Sequence, residues 1–337
     1  MSFFKDLLRD IANLDDDDDE SFKGSVCPYA LFSASSDADM LNRAIKAPGV
    51  EETAIMDLLV KRNNDQRQQI KAAYQQAYGK SLEADLETVL TEDLKDLALA
   101  LLMIPAQYDA QQVKQAMQGF GTDEDVLIEI LASRSNEQII EMKKAYKEAY
   151  QSELEDEIES DTRGDFEDAL VSLCKGTRSD DTDVDKRQAD WDAKALYEAG
   201  ENKTGTDNAF FIEIFTTRSD AQLRRTFQRY TKYSDVDMME ALDSETSGHF
   251  EDCLTAIVKC AMNKPAFFAE KLNLAMEGSG TRTKTLIRVL VTRSELDLKK
   301  VVAEYKKKYG RPLQQDILAE ASGAFETALL TLCGSDD

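Results

Sequence analysis

The sequence predicts an all-α protein made of four copies of one helical unit, with a separate tail at the N-terminus. Two observations predict this fold class. From Asp37 onward apolar residues recur at helical spacing, and no stretch alternates apolar and polar residues as a half-buried strand does. Glycine-containing turns also recur, at Gly49, Gly121, Gly205 and Gly280. Self-similarity at a nearly fixed period is the signature of a repeat architecture.

The N-terminal tail has three parts. Residues 1–14 have the apolar spacing of a short amphipathic helix, residues 15–20 are all acidic, and a Gly/Ser/Pro-containing linker continues to residue 36. A helix this short is marginal in isolation, so we expect either that its apolar face binds a partner or the protein body, or that it frays. The apolar face consists of Phe3, Phe4, Leu7, Leu8 and Ile11.

Alignment on the turn glycines sets the remaining boundaries. An arginine follows each glycine after thirteen residues and a tyrosine after twenty-five. A helix-capping sequence follows each arginine, so we interpret the arginine as a cation that binds the last carbonyls of one helix before the next begins. The predicted segments are the tail (1–36), repeat I (37–104), repeat II (105–175), an acidic linker (176–190), repeat III (191–260) and repeat IV (261–337).

Composition restricts the possible partners. The chain has 41 basic and 65 acidic residues, a net charge of −24. Such a chain should be repelled by nucleic acid and by anionic lipid, unless a cation lies between the two negative surfaces. There is no secretory signal, no run of ~18 apolar residues and no CxxC motif among the five cysteines, so we expect a cytoplasmic protein with reduced thiols.

The turns could be purely structural, because threonine caps helices well and glycine permits tight turns. An acid, however, stands forty residues after the last glycine of three of them: Asp161, Glu245 and Glu320. Repeat I has Val89 at this position, and its turn has also lost the second glycine and the threonine. Because the turn and the acid are lost together, capping alone does not explain the pattern.

Turn and acid together fit a calcium site. Calcium accepts six to eight oxygens, including backbone carbonyls and a carboxylate that can bind through both oxygens. A site with one carboxylate should be weak and leave positions for an outside oxygen, such as that of a lipid phosphate. Calcium would then bridge two surfaces that repel each other, and the binding of ion and lipid would be mutually reinforcing.

Other functions have less support. Asp181, Asp183 and Asp185 resemble the start of an EF-hand, but Lys186 occupies the position of the required glycine. His249 is the only histidine, and no serine or cysteine has a visible base partner, so the sequence does not predict an enzyme. The main alternative is a helical scaffold that binds protein partners through its tail.

The pattern Met-x-Gly-x-Gly-Thr followed by a distant acid resembles the annexin family, and the resemblance covers about residues 37–334. It implies five helices per repeat and a curved disc with calcium loops on its convex face. It further implies calcium-dependent binding to acidic phospholipid, membrane aggregation, a role in vesicle trafficking and exocytosis, and inhibition of phospholipase A2 by masking its substrate. Such proteins are cytoplasmic and peripheral on membranes; nuclear or signal-independent extracellular fractions are left open.

The resemblance also assigns residues and partners. In repeat II the ligands are Met117, Gly119, Gly121, Thr122 and Asp161; in repeat IV, Met276, Gly278, Gly280 and Glu320. Repeat III offers a less regular set, Gly200, Lys203, Gly205, Asp243 and Glu245, and repeat I a lesser site at Gly49, Val50 and Glu52. At the loop tips, Phe120 is expected either to contact the membrane or to be only an aromatic of the turn, and Ser279 is expected to contact the membrane. The tail helix is expected to bind an S100-type EF-hand dimer or to dock into repeat III without calcium.

Overall fold

The computed structural model describes residues 23–119, 121–278 and 280–334. These residues form nineteen α-helices and contain no strand, which confirms the all-α fold class. None of the described helices is long and apolar enough to cross a membrane. The predicted tail helix and the two loop-tip residues, Phe120 and Ser279, lie outside the described residues.

The helices follow one pattern in all four repeats. Repeat I contains α1 (Ala34–Lys46), α2 (Glu52–Val60), α3 (Asn64–Tyr78), α4 (Leu82–Val89) and α5 (Glu92–Leu102). Repeat II contains α6 (Pro105–Ala116), α7 (Glu124–Ser133), α8 (Asn136–Tyr150), α9 (Leu154–Asp161) and α10 (Gly164–Cys174). Repeat III contains α11 (Lys186–Ala199), α12 (Asn208–Thr217), α13 (Asp220–Tyr230) and α14 (Met238–Glu245) and ends in the first part of α15 (Gly248–Met276). Repeat IV begins in the second part of α15 and continues with α16 (Thr283–Arg293), α17 (Leu298–Tyr309), α18 (Leu313–Glu320) and α19 (Gly323–Cys333).

The long helix α15 is two helices joined at a kink. Asn263 has non-helical backbone angles, with φ −159° and ψ 91°, and Pro265 follows within the same helix. Proline lacks a backbone N–H, and its fixed φ suits the first turn of a helix, so Pro265 is compatible with a helix that begins just after Asn263. The kink therefore separates the last helix of repeat III from the first helix of repeat IV.

The described chain divides into two compact units. One contains residues 106–264, and the other contains residues 23–105 together with 265–334. In the first unit α11 packs against α13 and α10 against α12; in the second, α19 packs against α2 and α16 against α5. Leucine, isoleucine, alanine and tyrosine side chains fill both cores, which fits the apolar periodicity of the sequence.

Capping residues begin the third helix in most repeats, as the sequence predicts. Asn63 and Ser135 form complete capping boxes, and the Ser219 side chain accepts a bond from the backbone of Gln222. The capping sequence expected after the fourth arginine, Arg293, was wrong, because Ser294 is not the N-cap of a helix. Ser294 has helical backbone angles, and α17 begins only after Asp297.

The arginine that precedes these caps has a different main partner from the expected one. In repeat II both Nε and Nη2 of Arg134 donate to the carboxylate of Asp109 on α6, at 2.7 and 2.8 Å. The pairs Arg62–Asp37 and Arg218–Asp192 repeat this arrangement. In these three repeats the arginine thus fastens the corner between the second and third helices to the first helix, instead of mainly binding the carbonyls of its own helix. In repeat IV, Arg293 donates instead to Asp297, four residues later.

Candidate metal centre

The turns of repeats II and IV have nearly the same backbone conformation. Gly119 and Gly121 both have φ +100°, and Gly278 and Gly280 have φ +97° and +114°. A Cβ atom at any of these four positions would meet no heavy atom within 4 Å. Glycine is therefore required here by the backbone angle and not by lack of space.

One backbone hydrogen bond closes each turn. The N–H of Asp123 donates to the carbonyl of Ala116 at 2.8 Å, and that of Arg282 donates to Ala275 at 2.7 Å. In repeat III, Asp207 donates to Ala199 at 2.8 Å across a loop that is one residue longer. The closure holds both ends of each loop and leaves its middle exposed to solvent.

The three predicted acids occupy equivalent places in the fold. Asp161, Glu245 and Glu320 are the last residues of α9, α14 and α18. In repeats III and IV the structure brings acid and loop together. The Thr206 hydroxyl donates to Oε2 of Glu245 at 2.7 Å, and the Thr281 hydroxyl donates to Oε2 of Glu320.

The loop threonines are therefore not helix caps, and this part of the sequence interpretation was wrong. The N-cap of α7 is Asp123, whose side chain accepts a bond from Val126 N–H, and the N-cap of α12 is Asp207. Among the described residues, Thr122 and Asp161 form no bond like those in repeats III and IV. Aspartate is one methylene shorter than glutamate, and Asp161 is exposed at the end of its helix.

The turn of repeat I differs from the others. Gly49 is not among the glycines with positive φ, and the corresponding fourth helix, α4, ends at Val89. Val50 is half-buried, and Glu52 is the first residue of α2. The loss of the glycine conformation and the loss of the acid thus coincide in the structure as they do in the sequence.

Repeat III has a less regular loop. Gly200 has φ −106° and ψ −104°, and a Cβ there would lie 3.4 Å from Cγ of Glu245, so this glycine packs directly against the acid. The ammonium group of Lys203 lies 3.2 Å from the Asp207 carboxylate. Asp243 is exposed, and burial together with the charge of Asp243 raises the pKa of Glu251.

The site chemistry follows from these positions. Among the described residues, no three histidine, cysteine, aspartate or glutamate side chains lie together in a way that could hold a metal ion. Each of the three loops has one carboxylate at the end of the fourth helix, so further ligands would have to be carbonyl, water or external oxygens, which calcium accepts. In repeat IV a cavity of about 280 Å³ is lined by Met276, Glu277, Asp316 and Glu320.

Sequence reasoning missed the acids that hold the fourth helices in place. The Tyr74 hydroxyl donates to Asp85 at 2.7 Å, the Tyr146 hydroxyl to Glu157 at 2.5 Å, and the Tyr305 hydroxyl to Asp316. Burial, and then the hydrogen bond to the acid, raises the pKa of each tyrosine, so each remains a donor at neutral pH. The signal was available, because the acid stands eleven residues after the tyrosine in all three repeats.

Comparisons with known proteins agree with this architecture. The annexin family model matches residues 36–101, 108–173, 191–257 and 267–332. Annexin A1 of Homo sapiens is 54% identical over 312 residues, covering 93% of this chain and 90% of that protein. Annexin A1 of Sus scrofa is 50% identical over 346 residues, covering 100% of both chains.

Solved structures show the same fold. The structure of annexin III superposes with a TM-score of 0.92 at 45% identity, covering 94% of this chain and 98% of that one. A calcium-bound annexin (Sm)1 superposes with a TM-score of 0.84 at 30% identity, covering 94% of each chain. With four repeats of the family, relatives about half identical over almost the whole chain and the same tertiary structure, this protein belongs to the annexin family.

Proposed function

We propose that this protein binds acidic phospholipid membranes in a calcium-dependent manner, through the loops of repeats II, III and IV. The observation that carries the proposal is the joint occurrence, in these repeats, of glycines with positive φ and an acid at the end of the fourth helix. Each loop would supply backbone carbonyls, and Asp161, Glu245 or Glu320 would supply the carboxylate. The calcium-bound state of annexin (Sm)1 supports this choice of ion.

Charge explains why an ion is needed. With a net charge of −24, the protein and an anionic bilayer repel each other. A calcium ion held by one carboxylate and several neutral carbonyls retains positive charge and open coordination positions. A lipid phosphate oxygen can take such a position, so lipid raises the affinity for calcium and calcium raises the affinity for lipid by the same factor.

The wider roles follow from coating a membrane. A layer of protein would mask phospholipid from phospholipase A2 and could hold two membranes together during vesicle traffic and exocytosis. We propose that the protein has no catalytic activity: its only histidine, His249, lies 3.7 Å from the Glu124 carboxylate and 3.6 Å from the Asp252 carboxylate. Binding of an S100-type EF-hand dimer through Phe3, Phe4, Leu7, Leu8 and Ile11 remains a separate proposal for the tail, as do the lipid contacts of Phe120 and Ser279.

Sedimentation with phosphatidylserine vesicles tests the main proposal. The protein should sediment when calcium is present and return to the supernatant when a chelator is added. For the double variant Asp161→Ala/Glu320→Ala, the calcium concentration for half-maximal sedimentation should rise about tenfold, because the sites of repeats II and IV each lose their carboxylate ligand.

A matched control separates ligand loss from charge loss. Asp156 and Glu159 are exposed acids on α9, and Asp156→Ala/Glu159→Ala changes the net charge by the same amount. This control should keep the calcium requirement of the parent chain. Sedimentation that ignores the chelator would overturn the proposed function, and equal calcium requirements in the two double variants would mean that the ligands are misplaced.

A further inference from the structure

The tyrosine of the third helix has an unusual partner in repeat III. In the other repeats an acid of the fourth helix, eleven residues later, accepts its hydroxyl bond. The equivalent residue in repeat III is Ala241, which is completely buried and has no side-chain acceptor. Tyr230 is nevertheless bonded: its hydroxyl donates to Oε1 of Glu201 at 2.5 Å. The acid therefore comes from the candidate calcium loop itself.

Repeat III also differs from the other repeats at residue 234, and this difference likewise involves Glu201. Four residues after the first tyrosine, the other repeats carry another tyrosine that packs against it, with ring centroids 4.8 to 4.9 Å apart. Repeat III has Ser234 there, and the Ser234 hydroxyl donates to the same Oε1 of Glu201 at 2.6 Å. Both substitutions, at 234 and 241, thus belong to one rearrangement around Glu201.

The position of Glu201 in the loop is also distinctive. The residue four before the last turn glycine is apolar in the other repeats and acidic only here; the three apolar residues are Ile45, Met117 and Met276. Glu201 directly follows Gly200, so the peptide group between them carries the Gly200 carbonyl, one of the candidate ligands. That carbonyl accepts one bond, from Lys203 N–H at 2.9 Å, and retains a second lone pair.

The loop of repeat III has more conformational freedom than the other loops, and hydrogen bonds to Glu201 would restrict it. It is one residue longer than the others and has one positive-φ glycine, Gly205, where repeats II and IV have two. The additional residue gives this loop more backbone conformations to lose on ion binding. Two hydrogen bonds to the Glu201 carboxylate, one from Tyr230 at the end of α13 and one from Ser234 just beyond it, remove part of that freedom before the ion arrives.

We propose that Glu201 is a positioning residue of the repeat III metal centre, which ties the loop to Tyr230 and Ser234 and thereby holds Gly200 against Glu245. The inference rests on the proposed calcium function. It assigns Glu201 a role in calcium affinity without making it a ligand. It also means that the loop of repeat III is coupled to its third helix, whereas the tyrosines of repeats II and IV donate to acids of the fourth helix, with Tyr305 also 3.3 Å from Asn273 of α15.

The test isolates repeat III in the full-length chain. In the Asp161→Ala/Glu320→Ala background, calcium binding is measured by equilibrium dialysis with phosphatidylserine vesicles. Glu201→Met, the residue type of repeats II and IV, should raise the half-saturating calcium concentration about tenfold, because two charge-assisted bonds are lost. Glu201→Gln keeps an acceptor and should give a much smaller shift, and Asn202→Met in the same loop should give none.

A rescue variant distinguishes positioning from general stability. Glu201→Met/Ala241→Asp returns an acceptor to Tyr230 from the fourth helix, as in the other repeats. We expect it to recover the thermal stability lost in Glu201→Met while its calcium half-saturation stays raised. Recovery of calcium binding together with stability, or an unchanged half-saturation in Glu201→Met, overturns the proposal. The proposal is also overturned if the Asp161→Ala/Glu320→Ala chain binds no calcium. The proposed membrane function is tested separately, by sedimentation of the unmutated protein with vesicles.

Discussion

Gly280→Ala is the sharpest test of the loop geometry. Gly280 has φ +114°, well beyond the left-handed region near +57° in which alanine is tolerated at a cost of about 1–2 kcal/mol. Holding alanine at such an angle costs about 1–3 kcal/mol. No heavy atom lies within 4 Å of the added Cβ, so the cost is one of backbone conformation alone.

The exposed loop can escape this cost only by changing its conformation. Without calcium it should relax, and calcium must then restore the strained angle. A penalty of about 1–3 kcal/mol corresponds to a roughly 5- to 150-fold higher calcium concentration for half-saturation of that site. The measurement is calcium binding to the full chain on phosphatidylserine vesicles, together with thermal unfolding in chelator.

Gly310→Ala is the matched control. Gly310 ends α17 with φ +69° and likewise has no neighbour within 4 Å of an added Cβ, but it lies outside the loops. It should lower stability by about 1 kcal/mol and leave the calcium requirement unchanged. The outcome that contradicts this prediction is a Gly280→Ala chain that loses stability as Gly310→Ala does but keeps its calcium affinity. The loop would then hold the strained angle both with and without calcium, and would not relax as we expect.

Two further predictions concern the protein body. Asp109→Ala should destabilise the chain by about 3–5 kcal/mol in chemical unfolding, because the buried guanidinium of Arg134 loses its carboxylate partner. Removal of an exposed ion-pair partner by Asp57→Ala should cost about 1 kcal/mol or less, and equal losses in the two variants would contradict the structural role of the buried pair. A thiol reagent at pH 8 should label Cys27 rapidly and the buried cysteines about a thousandfold more slowly, since burial raises the pKa of three of them to about 12. Those three are Cys174, Cys253 and Cys333. Fast labelling of a second thiol in the native chain would argue against the burial described here.

Local patterns in the sequence were enough to predict the fold class and the repeat alignment. Glycine, arginine and tyrosine return at fixed offsets because each repeat needs the same turn, the same corner and the same buried donor. The three acids at the ends of the fourth helices were found because they too keep a constant offset. Periodicity of this kind survives in a single sequence without any knowledge of tertiary contacts.

Partners that come from a different helix were harder to predict. The aspartate that binds Arg134 lies twenty-five residues earlier, on α6, and a search for a nearby helix end gives no reason to look there. Glu201 is not among the ligands predicted for repeat III from the sequence, since the position holds methionine in repeats II and IV. Its meaning appears only when Ser234 and Ala241 are considered together with it, and their proximity is tertiary information.

The placement of the acids at the last residue of a helix has an electrostatic consequence. The final carbonyls of α9, α14 and α18 give each helix end a partial negative charge of about half a unit, which adds to the charge of the carboxylate. An approaching phosphate is therefore repelled by backbone and side chain alike until a cation has neutralised both. Under the proposed function, calcium would therefore have to bind each loop before a lipid phosphate could, and the positions at which these three helices end would set that order.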